Sequence, residues 1–466
     1  MSFKRRLKYL YPIFQLLILF FAILALTDHQ IVYSQDQSKE QENPKHAKSN
    51  REMGLRLLDE MKTALKDNYF DPNFHGINLE ARFKAAKERI KTLNYNWQVY
   101  RVLAQVLLDL NDSHTRLNVP PRADNFEYGF SVQMFGNECL ITKVKNGSDA
   151  EAKGLKVGDQ ILKIRDFTPT RENLWKILYV LYEMDQIDFV ELKIRGVDGA
   201  EKQLTVKGRT WSAKEMKEER KKRKKEEQEK PFKCQEINTE LIACKLYTFA
   251  VEKDQIDKMM KQIGQHSKLI LDLRGNGGGY VITEEHLTSY LFDHNVKIAD
   301  TVSKGKKEER IAKSKKDKSF KGELLVLIDS KSASAAEITA RVVQLEKRGK
   351  IVGDVSSGQV MTSIYVPFVS PYTILNGYVL SYVGMNLTVS DVIMSDGSRL
   401  EHVGVMPDVP IVPTGVALAQ RTDPVLAYAA LLLGGNLTPE KAGEFYFISA
   451  KSENDNGSDS DDKDDK

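Results

Sequence analysis

The apolar run Leu324-Leu-Val-Leu-Ile328 reads as a strand. It delivers the chain into Asp329-Ser-Lys-Ser-Ala-Ser-Ala-Ala-Glu-Ile338, a tight turn of small residues that opens a helix expected to run to about Lys347. A serine hydroxyl at such a junction is exposed at the carboxyl edge of a sheet, beside the positive end of a helix, where a developing anion is favoured. That placement suits a nucleophile, although a serine before a helix most often serves only as its N-cap. A second stretch, Leu271-Asp-Leu-Arg-Gly-Asn-Gly-Gly-Gly-Tyr280, puts three consecutive glycines behind another apolar run. Glycine lets backbone N–H groups approach a ligand atom closely, as an oxyanion hole requires. The spacing matches neither a dinucleotide fingerprint nor a phosphate loop, so nucleotide chemistry is disfavoured. A third stretch, Leu110-Asn-Asp-Ser-His-Thr115, is by itself a polar turn, but it carries an imidazole. An unperturbed imidazole pKa of about 6.5 suits proton transfer near neutrality.

The elements that must position these groups follow from periodicity. Leu55, Leu58, Met61 and Leu65 recur at helical spacing, and two further apolar helices are expected over residues 79–93 and 97–110. Asp71-Pro72 and Asn94 separate them, and Pro120-Pro121 closes the region. Residues 126–208 turn β-rich, with short runs at 129–134, 140–144, 160–164, 190–194 and 202–206 around two helical stretches. Residues 214–230 are almost wholly charged, and the basic block 220–225 is interleaved with glutamates, which reads as a solvated helical linker. From Pro231 to about Leu433 the pattern is α/β, with 269–273 and 324–328 as strands buried on both faces. A last amphipathic stretch reaches Phe447, and the tail from Ser452 is acidic and unstructured in composition.

At 466 residues the chain is too long for one core. Hydrophobic residues make up 41% and charged residues 29%, ordinary for a globular protein, and the net charge of +4 gives no reason to expect nucleic acid. Residues 1–34 combine a basic head (Lys4, Arg5, Arg6, Lys8) with an apolar run at 13–26 that is shorter than the ~20 residues a spanning helix needs. A cleaved secretory signal ending before Gln35 is the preferred reading, and an uncleaved anchor is the alternative. Cys139, Cys234 and Cys244 are too few for a disulfide framework. Cys234 and Cys244 could pair across a hairpin or stay as buried thiols, and no spacing suggests a metal or another cofactor.

Ser148-Asp-Ala-Glu-Ala-Lys-Gly-Leu-Lys-Val-Gly-Asp-Gln-Ile-Leu162 resembles a PDZ domain of the bacterial protease type. Tyr128, Gly129, Phe130 and Ser131 stand where such domains hold a peptide carboxylate. With the serine turn, the glycine turn, and Asp396-Gly397 followed by Leu400-Glu-His-Val-Gly-Val-Met-Pro-Asp408, the chain resembles the C-terminal-processing (tail-specific) serine peptidases over roughly residues 50–447. The resemblance implies Ser334 as nucleophile, and an oxyanion hole from the Ala335 amide and that of Gly277 or Gly278. It departs from the better-known branch at one point. Where that branch has a lysine base, Gly353-Asp-Val-Ser-Ser-Gly-Gln-Val-Met361 carries Gln359, which cannot take a proton. The Asp-Ser-His-Thr turn resembles the tricorn-like branch, implying His114 as base with Ser113 and Glu401 in support.

The expected fold is thus multidomain α+β: a signal (1–34), a lead-in (35–50), a helical region (51–122), a PDZ domain (123–211), a charged linker (212–230), an α/β peptidase core (231–449) and an acidic tail (450–466). The expected activity is acyl-enzyme hydrolysis of peptides or proteins near their C-termini, without cofactor or nucleic-acid partner. The substrates would meet the PDZ domain and the core cleft, and the protein would be secreted or periplasmic. Membrane attachment would follow only from an uncleaved N-terminus. A catalytically inactive peptide-binding protein on the same fold is the alternative. A crotonase-like acyl-handling enzyme is disfavoured by the PDZ segment.

Overall fold

The computed structural model describes residues 46–119, 124–264, 266–368, 374–375, 378–379, 383–445 and 447. The expected signal, most of the lead-in, Pro120-Pro121 and the acidic tail lie outside the described residues.

Three helices, α1 (Ala47–Asn68), α2 (Leu79–Ile90) and α3 (Asn96–Leu108), pack through the apolar positions seen in the sequence. Leu57, Leu58, Met61 and Leu65 meet Phe83, Ile90, Val99, Leu103 and Leu107 in one core. Gly54 lets α1 approach α3, since a Cβ there would sit 2.4 Å from Val99 Cγ1. Behind α3 the chain makes the Asp112–Thr115 turn and enters β1 (Arg116–Asn118).

The PDZ region begins with β2 (Asp124–Glu127), then β3 (Phe130–Phe135), β4 (Glu138–Val144), α4 (Asp149–Ala152) and β5 (Gln160–Ile164). It continues with α5 (Leu174–Tyr179), whose last turn widens over Val180–Met184, then β6 (Phe189–Arg195), β7 (Glu201–Lys207) and β8 (Arg209–Ser212). The sheet order is β3-β4-β5-β6-β7, which leaves β3 as an edge strand, and β2 pairs with β8. The charged segment forms α6 (Ala213–Glu229), as its alternating charges predict.

The core then runs β9 (Phe232–Glu236), β10 (Leu241–Leu246), α7 (Lys253–Ile263), β11 (Lys268–Asp272) and α8 (Val281–Leu291). β12 (Val296–Ser303), β13 (Lys306–Ala312), β14 (Glu323–Ile328), α9 (Ala335–Leu345) and β15 (Lys350–Gly353) follow. Its main sheet places β9-β10-β11-β14-β15 side by side; β10, β11, β14 and β15 are mutually parallel and β9 is antiparallel at the edge. Alternation explains the continuous apolar runs. Leu269, Leu271, Leu324, Val326 and Ile328 face the core of α7, α8 and α9. Ile270, Leu325 and Leu327 face Val425, Leu426, Ala429 and Ala430 of a C-terminal helix (Pro424–Leu432) on the other side. A second sheet is built on a long strand, Gly384–Met394, which pairs antiparallel with β1, β12 and the strand Thr362–Pro367. This sheet fastens the helical region to the core.

Of the two readings open for Cys234 and Cys244, the structure has the disulfide. The two residues are opposite partners on β9 and β10, and Cys139 is a buried free thiol. Closing a loop of sequence separation 10 removes chain entropy worth about 2–3 kcal/mol. Reduction is therefore expected to lower the thermal midpoint of the folded protein, as measured by calorimetry with and without a thiol reductant. An unchanged midpoint would show that the bond is stability-neutral. Among the described residues no helix is long and apolar enough to cross a membrane.

Candidate active site

β11 and β14 are neighbours in the parallel sheet, so the turns at their carboxyl ends lie side by side. Asp329, the first residue after β14, joins them: its Oδ1 accepts from the Gly275 amide at 2.8 Å and from the Lys331 and Ser332 amides at 3.0 Å. Ser332 Oγ donates to Leu273 O at 2.8 Å, and the Ala333 amide donates to Asn276 O at 2.9 Å. Beneath the glycine turn, Arg274 forks between the buried Asp272 and Asp423, reaching Asp423 Oδ1 at 2.9 Å. Lys245, its Nζ 3.4 Å from Asp272 Oδ1, is the second cation, so two cations meet two carboxylates beneath the turn.

Ser334 precedes the first residue of α9 and has φ 53° and ψ −118°, a strained conformation for a residue with a Cβ. Strain of this kind costs about 1–3 kcal/mol and survives only where the surroundings over-determine it. Here the Ser334 amide donates both to Gln359 O at 2.9 Å and to Glu337 Oε2 at 3.1 Å. Glu337 is fully enclosed. It also accepts from Ser356 Oγ at 2.6 Å, the Gly358 amide at 2.7 Å and the Gln359 amide at 3.0 Å. Burial pushes its carboxyl up to about 7, against the pull of these donors. One carboxylate thus ties the serine turn to the loop that follows β15.

Of the expected oxyanion donors, Ala335 follows Ser334 in the chain and Gly278 packs against it. A Cβ on Gly278 would lie 2.7 Å from Ser334 Cβ and 3.1 Å from the Ala335 nitrogen, so only glycine fits, and its φ is +92°. The Gly278 amide already donates to Asn276 Oδ1 at 2.9 Å. The Gly277 and Ala335 amides have no acceptor among the described residues.

The Asp112–Thr115 turn reaches the same place from the helical region. Asp112 is 1% exposed. It accepts from the His114 amide at 2.8 Å, the Thr115 amide at 3.2 Å, Thr115 Oγ1 at 2.9 Å and Thr388 Oγ1 at 2.8 Å. His114 Nδ1 lies 2.7 Å from Ser113 Oγ. Burial lowers the His114 pKa below its ordinary value; Glu401 and Asp112 oppose that shift and Arg116 adds to it. Glu401 bridges the turn to the serine loop. Its Oε1 accepts from the Ser113 amide at 3.3 Å, and its Oε2 accepts from the Val360 amide at 2.8 Å, one residue beyond Gln359. His114 is thus joined to Ser113, Ser113 to Glu401, Glu401 to Val360, and the neighbouring Gln359 to Ser334, the last three links through backbone groups. No hydrogen bond joins His114 to Ser334 among the described residues.

The PDZ region leans on both sides of this assembly. Gln133 Nε2 donates to Asp329 Oδ2 at 2.7 Å, Ser330 Oγ donates to Met134 O, and the Gly136 amide and Arg171 both bind Asp354. On the helical side, Tyr179 hydroxyl donates to Leu117 O at 2.7 Å, and Asp185 pairs with Arg101 and Arg165. Tyr128 is buried with its hydroxyl on Ile187 O at 2.8 Å, and Gly129 turns with φ +75°. The Tyr128 and Gly129 amides have no acceptor among the described residues, Phe130 is buried, and Ser131 is exposed.

Sequence reasoning missed Glu337, Asp112 and Asp329. The first had a signal, since Ser334-Ala-Ala-Glu337 is a capping-box pattern. The other two are carboxylates in turns, and only their burial distinguishes them from ordinary polar turn residues.

Two family models match parts of this chain. Residues 243–411 match the model of peptidase family S41, and residues 117–171 match the PDZ domain. A carboxyl-terminal-processing protease of Picosynechococcus sp. is 26% identical over 384 residues, 78% of this chain and 85% of that one. The carboxy-terminal processing protease CtpA of Bacillus subtilis is 24% identical over 282 residues, 60% of this chain and 55% of its own. The tail-specific protease of Haemophilus influenzae is 27% identical over 268 residues, covering 53% of this chain and 36% of that protein. Among solved structures, mature CPAF superposes with a TM-score of 0.62 at 14% identity, over 88% of this chain and 99% of that one, a likeness of fold.

Proposed function

We propose that this chain, a serine peptidase of family S41 with a PDZ domain, cleaves peptides and proteins near their C-termini with Ser334 as nucleophile and His114 as general base. The observation that carries this reading is Glu401, whose two oxygens take the Ser113 amide, next to His114, and the Val360 amide, next to the Gln359 that holds Ser334. A substrate tail adds as a strand along the edge of β3 that no other described strand pairs, its carboxylate at the Tyr128 and Gly129 amides with Phe130 and Ser131 flanking. The scissile carbonyl then lies over Ser334. As His114 closes on the hydroxyl, it takes the proton while Oγ bonds to the carbonyl carbon, and the oxyanion is met by the Ala335 and Gly277 amides. His114 returns that proton to the leaving amine as the C–N bond breaks, and water hydrolyses the acyl-enzyme by the same route. Ser113 orients the imidazole through Nδ1, and Glu401 stabilises its charged form. Free enzymes often hold such pairs apart until substrate binds. The basic and apolar pattern of residues 1–34 supports work outside the cytoplasm.

Gln359 supplies the loop with its backbone, since its carbonyl and amide are the groups engaged. Gln359→Ala is therefore expected to keep peptidase activity within about tenfold of the parent, as a non-catalytic side chain would. The test of the whole reading is fluorophosphonate labelling, which attacks only an activated serine. Labelling of the wild type that disappears in Ser334→Ala and falls sharply in His114→Ala, but persists in Gln359→Ala, supports the pair. A folded wild type that takes no label favours the second reading, an inactive peptide-binding protein, for which the absence of a lysine at position 359 is the supporting observation.

A further inference from the structure

α6 carries the chain from β8 of the PDZ region to β9 of the core, and the winding of the helix sorts its charges. With about 100° between successive residues, Lys214, Lys217, Arg220, Lys221, Lys224 and Lys225 share one arc of about 140°. The glutamates interleaved with them in the sequence all fall outside that arc, where Lys222 and Arg223 join them. Lys214, Lys217, Lys221 and Lys225 are exposed, and Lys225 meets Glu229 at 3.6 Å at the border of the arc. Neighbours along this face are three or four positions apart, the separation at which like charges repel on a helix. Such a face calls for an anion, and the same chain supplies one. Asp459, Asp461, Asp462, Asp464 and Asp465 stand with only two lysines, Lys463 and Lys466, at the end of the sequence. The fold releases that segment close to α6. Lys233 Nζ, on the strand that follows the helix, donates to Phe445 O at 2.9 Å, and Phe447 is buried in one core with Leu241 of β10.

We propose that the acidic tail of this chain, residues 450–466, docks along the basic face of α6. Residues 448–466 can span up to roughly 60 Å, and the 17-residue helix is about 25 Å long, length enough for the aspartates to reach every lysine of the face. Tethering sets the effective concentration of the tail at about the millimolar range, so even a weak charge contact is occupied within one molecule. The contact is electrostatic, with a screening length of about 8 Å at physiological salt, and added salt releases it. A docked tail relieves the repulsion along the helix and denies the face to other polyanions, an anionic membrane among them. It involves neither Ser334 nor His114.

The experiment couples carboxylates to lysines with a zero-length carbodiimide in the full-length Ser334→Ala protein, and maps the bonds in the monomer fraction by mass spectrometry. Bonds from the tail aspartates to Lys214, Lys217, Lys221 or Lys225 are expected at about 0.05 M salt, and at least fivefold fewer at about 0.5 M. A tail coupled to no lysine of α6, or evenly to lysines over the whole surface, overturns the proposal. A labelled peptide of residues 448–466 is also titrated into a chain ending at Ala450, which keeps every described residue. Saturable binding is expected. It should weaken at least tenfold when Lys217→Gln, Lys221→Gln and Lys225→Gln are combined, and at least tenfold in the full chain, whose own tail competes. It should be unchanged by Lys253→Gln, Lys258→Gln and Lys261→Gln together, three exposed lysines of α7. Equal affinity for the full and the shortened chain overturns docking within one molecule. Vesicles of phosphatidylglycerol and phosphatidylcholine test the rival occupant. Binding to them only after the tail is removed supports the proposal, whereas a full chain held there through Lys217, Lys221 and Lys225 assigns the face to a membrane and overturns it.

Discussion

Ser334→Ala is expected to lower kcat by roughly 10⁴- to 10⁶-fold while leaving the fold intact, the range seen when the nucleophile of a cooperating serine site is removed. The magnitude follows from the loss of the covalent route. The amides of Gly277 and Ala335 remain and can still polarise a carbonyl, but nothing attacks it. Stability should change by no more than about 0.5 kcal/mol, since the side chain is half-buried and alanine suffers the same backbone strain at φ 53°. Binding of a C-terminal peptide to the PDZ region should also be unaffected. Peptide cleavage is followed by mass spectrometry, and folding by the thermal midpoint. A variant that cleaves normally removes Ser334 from the chemistry, and one that is inactive because it no longer folds is recognised from the melt.

His114→Ala is the second large effect, with an expected loss of at least about 10³-fold in kcat/KM, the upper part of what a general base contributes. The pH profile gives an independent reading. The base must be neutral to accept a proton, and burial favours the neutral form by lowering the pKa from its ordinary 6.5. The acid limb of kcat/KM is therefore expected below pH 6.5, so activity persists further into acid than a solvent-exposed imidazole would allow. Glu401 opposes that shift by favouring the imidazolium. Glu401→Gln should accordingly move the acid limb lower still, at the same time as it slows turnover by leaving the charged intermediate less stabilised. A limb that does not move on Glu401→Gln, or one that lies above 6.5, contradicts this electrostatic picture.

Much of the molecule was legible in its sequence. Residues 160–164 were expected as a strand and form β5, Gln160–Ile164, and the helix after the serine turn ends at Leu345, close to the expected Lys347. Apolar period and turn chemistry are local properties, and they carried these elements. The runs at 269–273 and 324–328 announced a parallel sheet because both of their faces had to be covered, by α7, α8 and α9 on one side and the Pro424–Leu432 helix on the other. The serine turn and the glycine turn were also local, since each is a strand end followed by residues that only a close backbone approach requires. By itself, then, the sequence determined the elements, the order of the regions and the two turns at which acyl chemistry could happen.

The tertiary structure decided what surrounds them. Glu337 and Asp112 read as ordinary turn and cap residues until folding removes their water and directs four donors at each. The Cys234–Cys244 pair became a bond only because β9 and β10 align those residues opposite each other. His114 and Ser334 lie on different regions, and what brings their turns to one edge is a long strand that pairs with both β1 and the core. Such contacts link residues hundreds of positions apart, and no local pattern encodes them, because their energy comes from desolvation and pairing that exist only once the sheets have closed.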